Sequence, residues 1–268
     1  MLIMERQIDR LSVHVFDTRQ EMGKAAADAA AKIIRTLIAR KGEANIVFAS
    51  APSQNELLSC LLEEDIDWRR LRGFYQDEYI GLPPDSPAGF GNFLRRNIFD
   101  RKPFMELHFL DCTHENAAMK IAEYTALLQK HSPDLIFLGV GENGHMAFNE
   151  PHVADFQEPR HLMVVELDAT SRMQQVHDGC FTSFDEVPTH AITLTMSQIL
   201  SIPNAMAVVP TSRKEDAVDA MLNGPVSAAC PASALRLHPT AKLFLDKDSA
   251  GKGLLQYDRV SQKERDSI

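Results

Sequence analysis

Two short segments of this chain carry groups able to move protons. One is Gln76-Asp77-Glu78-Tyr79; the other runs from Gly139 to Pro151 as Gly-Val-Gly-Glu-Asn-Gly-His-Met-Ala-Phe-Asn-Glu-Pro. A histidine takes and gives protons near neutral pH, and a nearby carboxylate fixes its tautomer, so His145 with Glu150 reads as an acid–base pair. The adjacent carboxylates Asp77 and Glu78 cannot both point the same way: one can face a cleft while the other supports it. The plainer alternatives are a solvated acidic turn for Asp77-Glu78 and a helix-capping role for His145. Two further segments, Ser53-Gln-Asn-Glu56 and Ser212-Arg-Lys-Glu215, read as capping boxes at helix starts that follow strands. Such starts offer free N–H groups and a favourable dipole to an anion, and Lys214 adds a full charge. Ordinary capping is the competing reading for each.

Gly139-x-Gly141-x-x-Gly144 also matches the dinucleotide-binding fingerprint, which requires a long helix after the turn and usually sits in the first βα unit. Here Pro151 follows shortly, the segment lies mid-chain, and a histidine fills the turn. The nicotinamide reading is therefore set aside.

The elements that must position these groups alternate. Strands are expected at Ser12–Phe16, Asn45–Ala49, Leu71–Tyr75, Glu106–Leu110, Asp134–Val140, His161–Glu166, Ala191–Leu194, Ala205–Val209 and Lys242–Leu245. The capping box Thr18-Arg-Gln-Glu21 opens a helix whose apolar face is Met22, Ala26, Ala29, Ile33 and Leu37. Further helices are expected at Ser53–Leu62, Glu115–Lys130, Ser212–Leu222 and Ala232–His238. This alternation implies an α/β fold of the doubly wound, Rossmann-like kind: a mostly parallel sheet with helices on both faces. Residues 1–268 read as one domain, with a polar, flexible tail from Ser249 onward. Candidate sites at strand ends then fall where open α/β sheets bind ligands.

With 268 residues, 44% of them hydrophobic and 24% charged, the chain can bury a sizeable core. A formal charge of −9 argues against nucleic acid as a partner, though not against a small anion. The scattered Cys60, Cys112, Cys180 and Cys230 form no Cys-x-x-Cys pair, and the histidines lack zinc spacing, so reduced thiols and no metal are expected. No apolar run approaches the ~18 residues of a membrane span and no signal-peptide core opens the chain, so a soluble cytoplasmic protein is expected. The oligomeric state is left open, a homo-oligomer included.

The segment 139–151 closely resembles the signature loop of glucosamine-6-phosphate deaminases, Gly-x-Gly-x-Asp-Gly-His-Ile-Ala-Phe-Asn-Glu-Pro. Gln76-Asp-Glu-Tyr-Ile-Gly-Leu-Pro83 is similar to that family's Asp-Glu-Tyr-Val-Gly-Leu motif. Asp185-Glu-Val-Pro188, Ala191-Ile-Thr-Leu-Thr195 and Pro231-Ala-Ser-Ala-Leu-Arg-Leu-His238 match in order and spacing. The resemblance runs from about the first helix to Asp246. It implies conversion of an amino-sugar phosphate, glucosamine 6-phosphate or a stereoisomer such as galactosamine 6-phosphate, to a ketose phosphate and ammonia, without a metal or organic cofactor. By resemblance, His145 assists sugar-ring opening with Glu150 orienting it, Asp77 moves the proton between C2 and C1, and Asn143 holds the place next to them. Ser50, Ser53, Gln54, Gly144, Arg172 and Lys214 would contact the substrate, Lys214 at its phosphate. A 6-phosphogluconolactonase-like hydrolase of related fold, or a catalytically weakened sugar-phosphate sensor, are the alternatives.

Three positions depart from the pattern. Asn143 stands where the signature has Asp, and an amide supports His145 only by hydrogen bonding. Ser50-Ala-Pro-Ser-Gln54 replaces a Gly-Gly-Thr-Pro-like phosphate loop, and Pro52 removes one N–H donor. Where a second phosphate-gripping arginine is usual after Arg172, the chain has Val176-His177-Asp178.

Overall fold

A computed structural model describes residues 1–254. The chain opens with a hairpin, β1 (Leu2–Ile8) and β2 (Leu11–Phe16), paired antiparallel. Then come α1 (Arg19–Lys41), β3 (Ala44–Phe48), α2 (Asn55–Leu62), β4 (Leu71–Tyr75), β5 (Asp77–Tyr79), α3 (Phe90–Asn97), β6 (Glu106–Leu107), α4 (Ala117–Lys130) and β7 (Leu135–Leu138). The second half adds β8 (Leu162–Glu166), α5 (Ala169–His177), β9 (His190–Leu194), α6 (Met196–Ser201), β10 (Asn204–Val209), α7 (Glu215–Asn223) and β11 (Lys242–Asp246).

Eight strands form one sheet in the order β1-β2-β11-β10-β7-β3-β4-β6, parallel except for the opening hairpin. Every residue of β3, β4 and β7 is buried, as strands covered on both faces require. From β3 the chain winds outward through β4 to β6, then returns to β7 on the other side of β3. The winding therefore reverses between β3 and β7, and a crevice opens at their carboxyl ends. This is the expected single-domain, doubly wound fold.

Two buried glutamines hold that crevice together. Gln76 Nε2 donates to Phe137 O at 2.6 Å, tying the end of β4 to β7. Gln54 Nε2 donates to Leu138 O and Val208 O, each at 3.3 Å, tying β7 to β10. Helix α1 starts as its capping box predicts: Thr18 Oγ1 accepts from Glu21 N at 3.2 Å. It ends at Gly42, whose φ of 86° suits glycine. A Cβ on Gly23 would lie 2.3 Å from Glu56 Cβ, so glycine lets α1 and α2 approach closely.

The structure departs from the sequence reading where tertiary contacts decide. β5, β9 and β8 leave the main sheet and form a separate antiparallel one. Strand β1 was not anticipated, nor were α3, α5 and α6; α3 begins Phe-Gly-Asn, residues with little helical preference. Its start is instead held by a side chain from another element, Glu78, which accepts from Phe90 N and Gly91 N. The strand expected to reach Leu110 stops at Leu107, because Leu110 N–H donates to Tyr75 Oη and leaves the ladder. Neither Ser53 nor Ser212 caps a helix: each lies in a short 3₁₀ turn, Pro52–Gln54 and Ser212–Lys214, without a side-chain cap. The tail expected from Ser249 begins as helix. Residues 247–254 are helical with Ser249, Ala250 and Leu254 buried, and the rest of it lies outside the described residues. No helix among the described residues is long and apolar enough to cross a membrane, and the four cysteines are free thiols.

Candidate active site

The crevice is lined by the segments that leave β3, β4, β7 and β10, with the starts of α1 and α3 and one face of α5. Asp77, His145, Ser50, Ser53 and Lys214, all expected from the sequence, face it.

Of the two adjacent carboxylates, Asp77 faces the cleft and Glu78 turns away. Glu78 accepts from the backbone N–H groups of Tyr79 (3.0 Å), Phe90 (3.0 Å) and Gly91 (2.8 Å), and from Tyr75 Oη at 3.4 Å. Burial raises its pKa to about 7 against the lowering by those three N–H groups. By anchoring α3, Glu78 seats Phe90 in the cleft wall, where its ring packs on Tyr79 and Phe148. Burial, reinforced by the Glu78 charge, pushes the Asp77 carboxyl well above the usual range. A carboxyl that holds its proton so tightly is a strong base once ionised.

The loop after β7 folds back on itself around His145. Its Nδ1 lies 2.7 Å from Asn143 Oδ1 and 3.2 Å from both Ser171 Oγ and Glu150 Oε1. All three can accept the Nδ1 proton, so Nε2 is the nitrogen left to meet a ligand. Glu150 in turn accepts from Ser171 Oγ and Asn143 Nδ2. Burial would raise the Glu150 carboxyl, but bonds and charge from His145, with Ser171 and Asn143, hold it down to about 2. Neither Asn143 nor Glu150 lines the cleft; both act on it through His145. The amide at 143 thus does by hydrogen bonding what the sequence allowed it. It also donates to Glu150, which an ionised aspartate could not do.

Glycine is required at Gly141, where a Cβ would fall 2.2 Å from His145 Cε1. The far side of the loop is fastened to the small sheet. Phe148 N donates to Thr193 Oγ1 at 3.1 Å and Asn149 Nδ2 to Leu194 O at 2.8 Å.

The same cleft is lined by Lys214, 7% exposed, whose ammonium makes no hydrogen bond or ion pair among the described residues. Burial lowers its pKa, while the nearby carboxylates Asp178 and Glu142 oppose that shift. Ser50 Oγ is buried there with no partner among the described residues.

Three expected contact residues are placed elsewhere. Gln54 spends its amide on the β7 and β10 carbonyls and does not line the cleft. Arg172 donates to Phe184 O and Val187 O and stacks over the Phe184 ring, so its charge stabilises a neighbouring loop. Gly144 is a turn residue at φ 81°, pressed against Cys230. Conversely, sequence reasoning missed Arg19, Gln76, Phe90, Ser171, Gln174, Gln175 and Asp178. For Arg19 a signal existed, since a cation in the first turn of a helix opposes the dipole. Gln76, Phe90, Gln174, Gln175 and Asp178 line the cleft from three separate stretches of the chain, and Ser171 reaches it only through His145. Among the described residues, no group of three or more His, Cys, Asp or Glu is placed to hold a metal ion.

Comparisons with known proteins show the family and the fold. A family model described as glucosamine-6-phosphate isomerases/6-phosphogluconolactonase matches residues 17–244. A glucosamine-6-phosphate deaminase of Streptococcus thermophilus is 33% identical over 79% of this chain and 88% of its own. Among solved structures, a monomeric glucosamine-6-phosphate deaminase superposes with a TM-score of 0.81 at 25% identity, covering 90% of this chain and 99% of that one. The 6-phosphogluconolactonase of Trypanosoma brucei shares the fold, with a TM-score of 0.75 at 20% identity over 92% of this chain and 98% of its own. From residue 17 to residue 244, then, the chain belongs to the family of glucosamine-6-phosphate isomerases and 6-phosphogluconolactonases.

Proposed function

We propose that the protein converts a hexosamine 6-phosphate and water to a ketohexose 6-phosphate and ammonia. The observation that carries this reading is the pairing of a base and an acid on one cleft. The Asp77 carboxyl and the His145 ring face the same space, which also holds the unpaired Lys214 ammonium. His145, oriented through Nδ1, presents Nε2 to the ring oxygen and assists opening of the sugar. Asp77 then takes the proton from C2 and returns it to C1, so the C1 aldehyde becomes a hydroxymethyl group and C2 an iminium. Water adds at C2 and ammonia leaves. General acid–base steps of this kind are worth about 10²–10⁴-fold when the groups are well placed. Ser50, Ser53 and Lys214 would take the phosphate. Glucosamine 6-phosphate is the leading substrate and its C4 epimer, galactosamine 6-phosphate, the second candidate. A lactonase has no C2-to-C1 proton to move, so the buried Asp77 favours the deaminase reading.

The test is ammonia release and ketose phosphate formation by purified protein given each hexosamine 6-phosphate, with 6-phosphogluconolactone hydrolysis followed in parallel. Lactone hydrolysis without ammonia release would overturn the reading in favour of the hydrolase, and tight binding without turnover would favour a sensor. Asn143→Asp sharpens the test. It sets a second carboxylate against Glu150 and removes the donor that Glu150 now uses. Turnover should fall about tenfold, on the scale of one charge-assisted hydrogen bond, and a rise would show that Asn143 weakens catalysis.

A further inference from the structure

Two cations line the cleft, and both stand at helix starts. Arg19 is the first residue of α1, and Lys214 immediately precedes α7. A helix start already carries partial positive charge, so a cation there is unfavourable unless an anion offsets it. Around the cleft three backbone positions offer an anion no donor. Pro52 has no N–H, Gln54 N–H is taken by Ala51 O, and Thr211 N–H is taken by the Asp246 carboxylate at 3.0 Å. The full positive charge there comes from side chains.

Arg19 is poised to supply it. Its Nε lies 2.7 Å from Glu56 Oε2 and its Nη2 donates to Pro52 O, while Nη1 makes no hydrogen bond among the described residues. The carbonyl of the proline that deprives the loop of a donor thus holds an arginine against that loop. Glu56 fixes one edge of the guanidinium, and the side chain as a whole borders the space shared by Ser50, Ser53 and Lys214. Lys214 and Ser50 Oγ, both buried and unpartnered, face into that space.

We propose that Arg19 is a further binding residue for the substrate's phosphate, gripping from the α1 side the dianion that Lys214 meets from the α7 side. This rests on the hexosamine 6-phosphate reading of the cleft. A guanidinium matches phosphate oxygens in a planar fork and keeps its charge throughout the working pH range. Asp178, in the same wall, repels a dianion, which makes a second cation the more necessary.

The experiment measures inorganic phosphate affinity by calorimetry, together with KM and kcat for the hexosamine 6-phosphate, in wild type, Arg19→Gln, Arg19→Lys and Lys214→Gln. Arg19→Gln should weaken phosphate binding about tenfold to a hundredfold, the loss of one bond to a charged group. KM should rise in step, with kcat little changed. Arg19→Lys should recover part of the affinity because it keeps the charge. If Arg19→Gln binds phosphate as wild type does, the inference is wrong. It also falls if both Arg19 variants lose affinity and unfolding midpoint together without rescue by lysine, since Arg19 then only fastens the 50–54 loop. Phosphate binding that depends on Arg19, with no ammonia from any hexosamine 6-phosphate, would leave Arg19 in place and remove the functional reading instead.

Discussion

Two groups of residues in the cleft wall, one around His145 and one around Lys214, are built on opposite plans. Around His145, four side chains within one hydrogen-bonded cluster satisfy one another, and the ring has one nitrogen left over. Around Lys214, the ammonium has no hydrogen bond or ion pair and the Ser50 hydroxyl is buried with nothing to bond to among the described residues. Buried polar groups are normally paired, and leaving one unpaired costs about 1–3 kcal/mol. The His145 cluster is satisfied without a ligand, whereas the Lys214 ammonium and the Ser50 hydroxyl keep bonding capacity to spare. Proton transfer needs geometry fixed in advance, whereas binding gains from groups whose satisfaction is deferred until the ligand supplies it.

That contrast predicts how each group should respond to damage. The largest effect is expected from Asp77→Asn, which keeps the shape of the cleft and removes the base. Its kcat should fall about 10²–10⁴-fold. Its stability at neutral pH should hold or rise, because a buried carboxyl whose pKa is raised destabilises the fold once ionised. Turnover that survives Asp77→Asn would sink the assignment of the base, and a loss of stability at pH 7 would contradict the electrostatic account.

Glu150→Gln should damage both activity and stability. A carboxyl held at about 2 in the folded state, against an ordinary value of 4.5, contributes on the order of 3 kcal/mol. That stability is fully present above about pH 4.5 and is lost as pH falls toward 2. Urea unfolding of wild type and variant should therefore differ at pH 7 and converge near pH 2–3. A gap that stays constant with pH would mean the cluster acts through packing and not through charge.

The smallest effect on chemistry is expected from Gln54→Ala. Its amide bonds strand carbonyls and not the ligand, so KM should stay near wild type. Stability should drop by about 1–3 kcal/mol as two buried carbonyls lose their donor. A large KM increase with unchanged stability would return Gln54 to the binding site.

How much of this was legible in the sequence also divides between the two groups. His145, Asn143 and Glu150 lie within eight consecutive positions, where a glycine turn brings them together by local geometry alone, so the motif displays the cluster. Even there Ser171 was invisible, because its bond to Glu150 depends on where α5 docks. The Lys214 group has no contiguous motif. Ser53, Lys214 and Arg19 come from the segments after β3, β10 and β2, and only the docking of those segments around one crevice makes them neighbours. Gln54 and Arg172 show the reverse failure: residue types suited to an anion, turned by packing toward carbonyls.

By itself, the sequence determined the alternation of strands and helices and displayed Asp77, His145 and Glu150 as candidates for moving protons. Hydrophobic period, capping and glycine turns act over a few residues and leave their mark in the order of letters. Only the tertiary structure decided which carboxylate of Asp77-Glu78 faces the cleft and which cations share it. It alone decided that β5, β8 and β9 form a sheet of their own. Those outcomes depend on long-range packing and on which buried polar groups find partners, and neither quantity is defined until the chain has closed on itself.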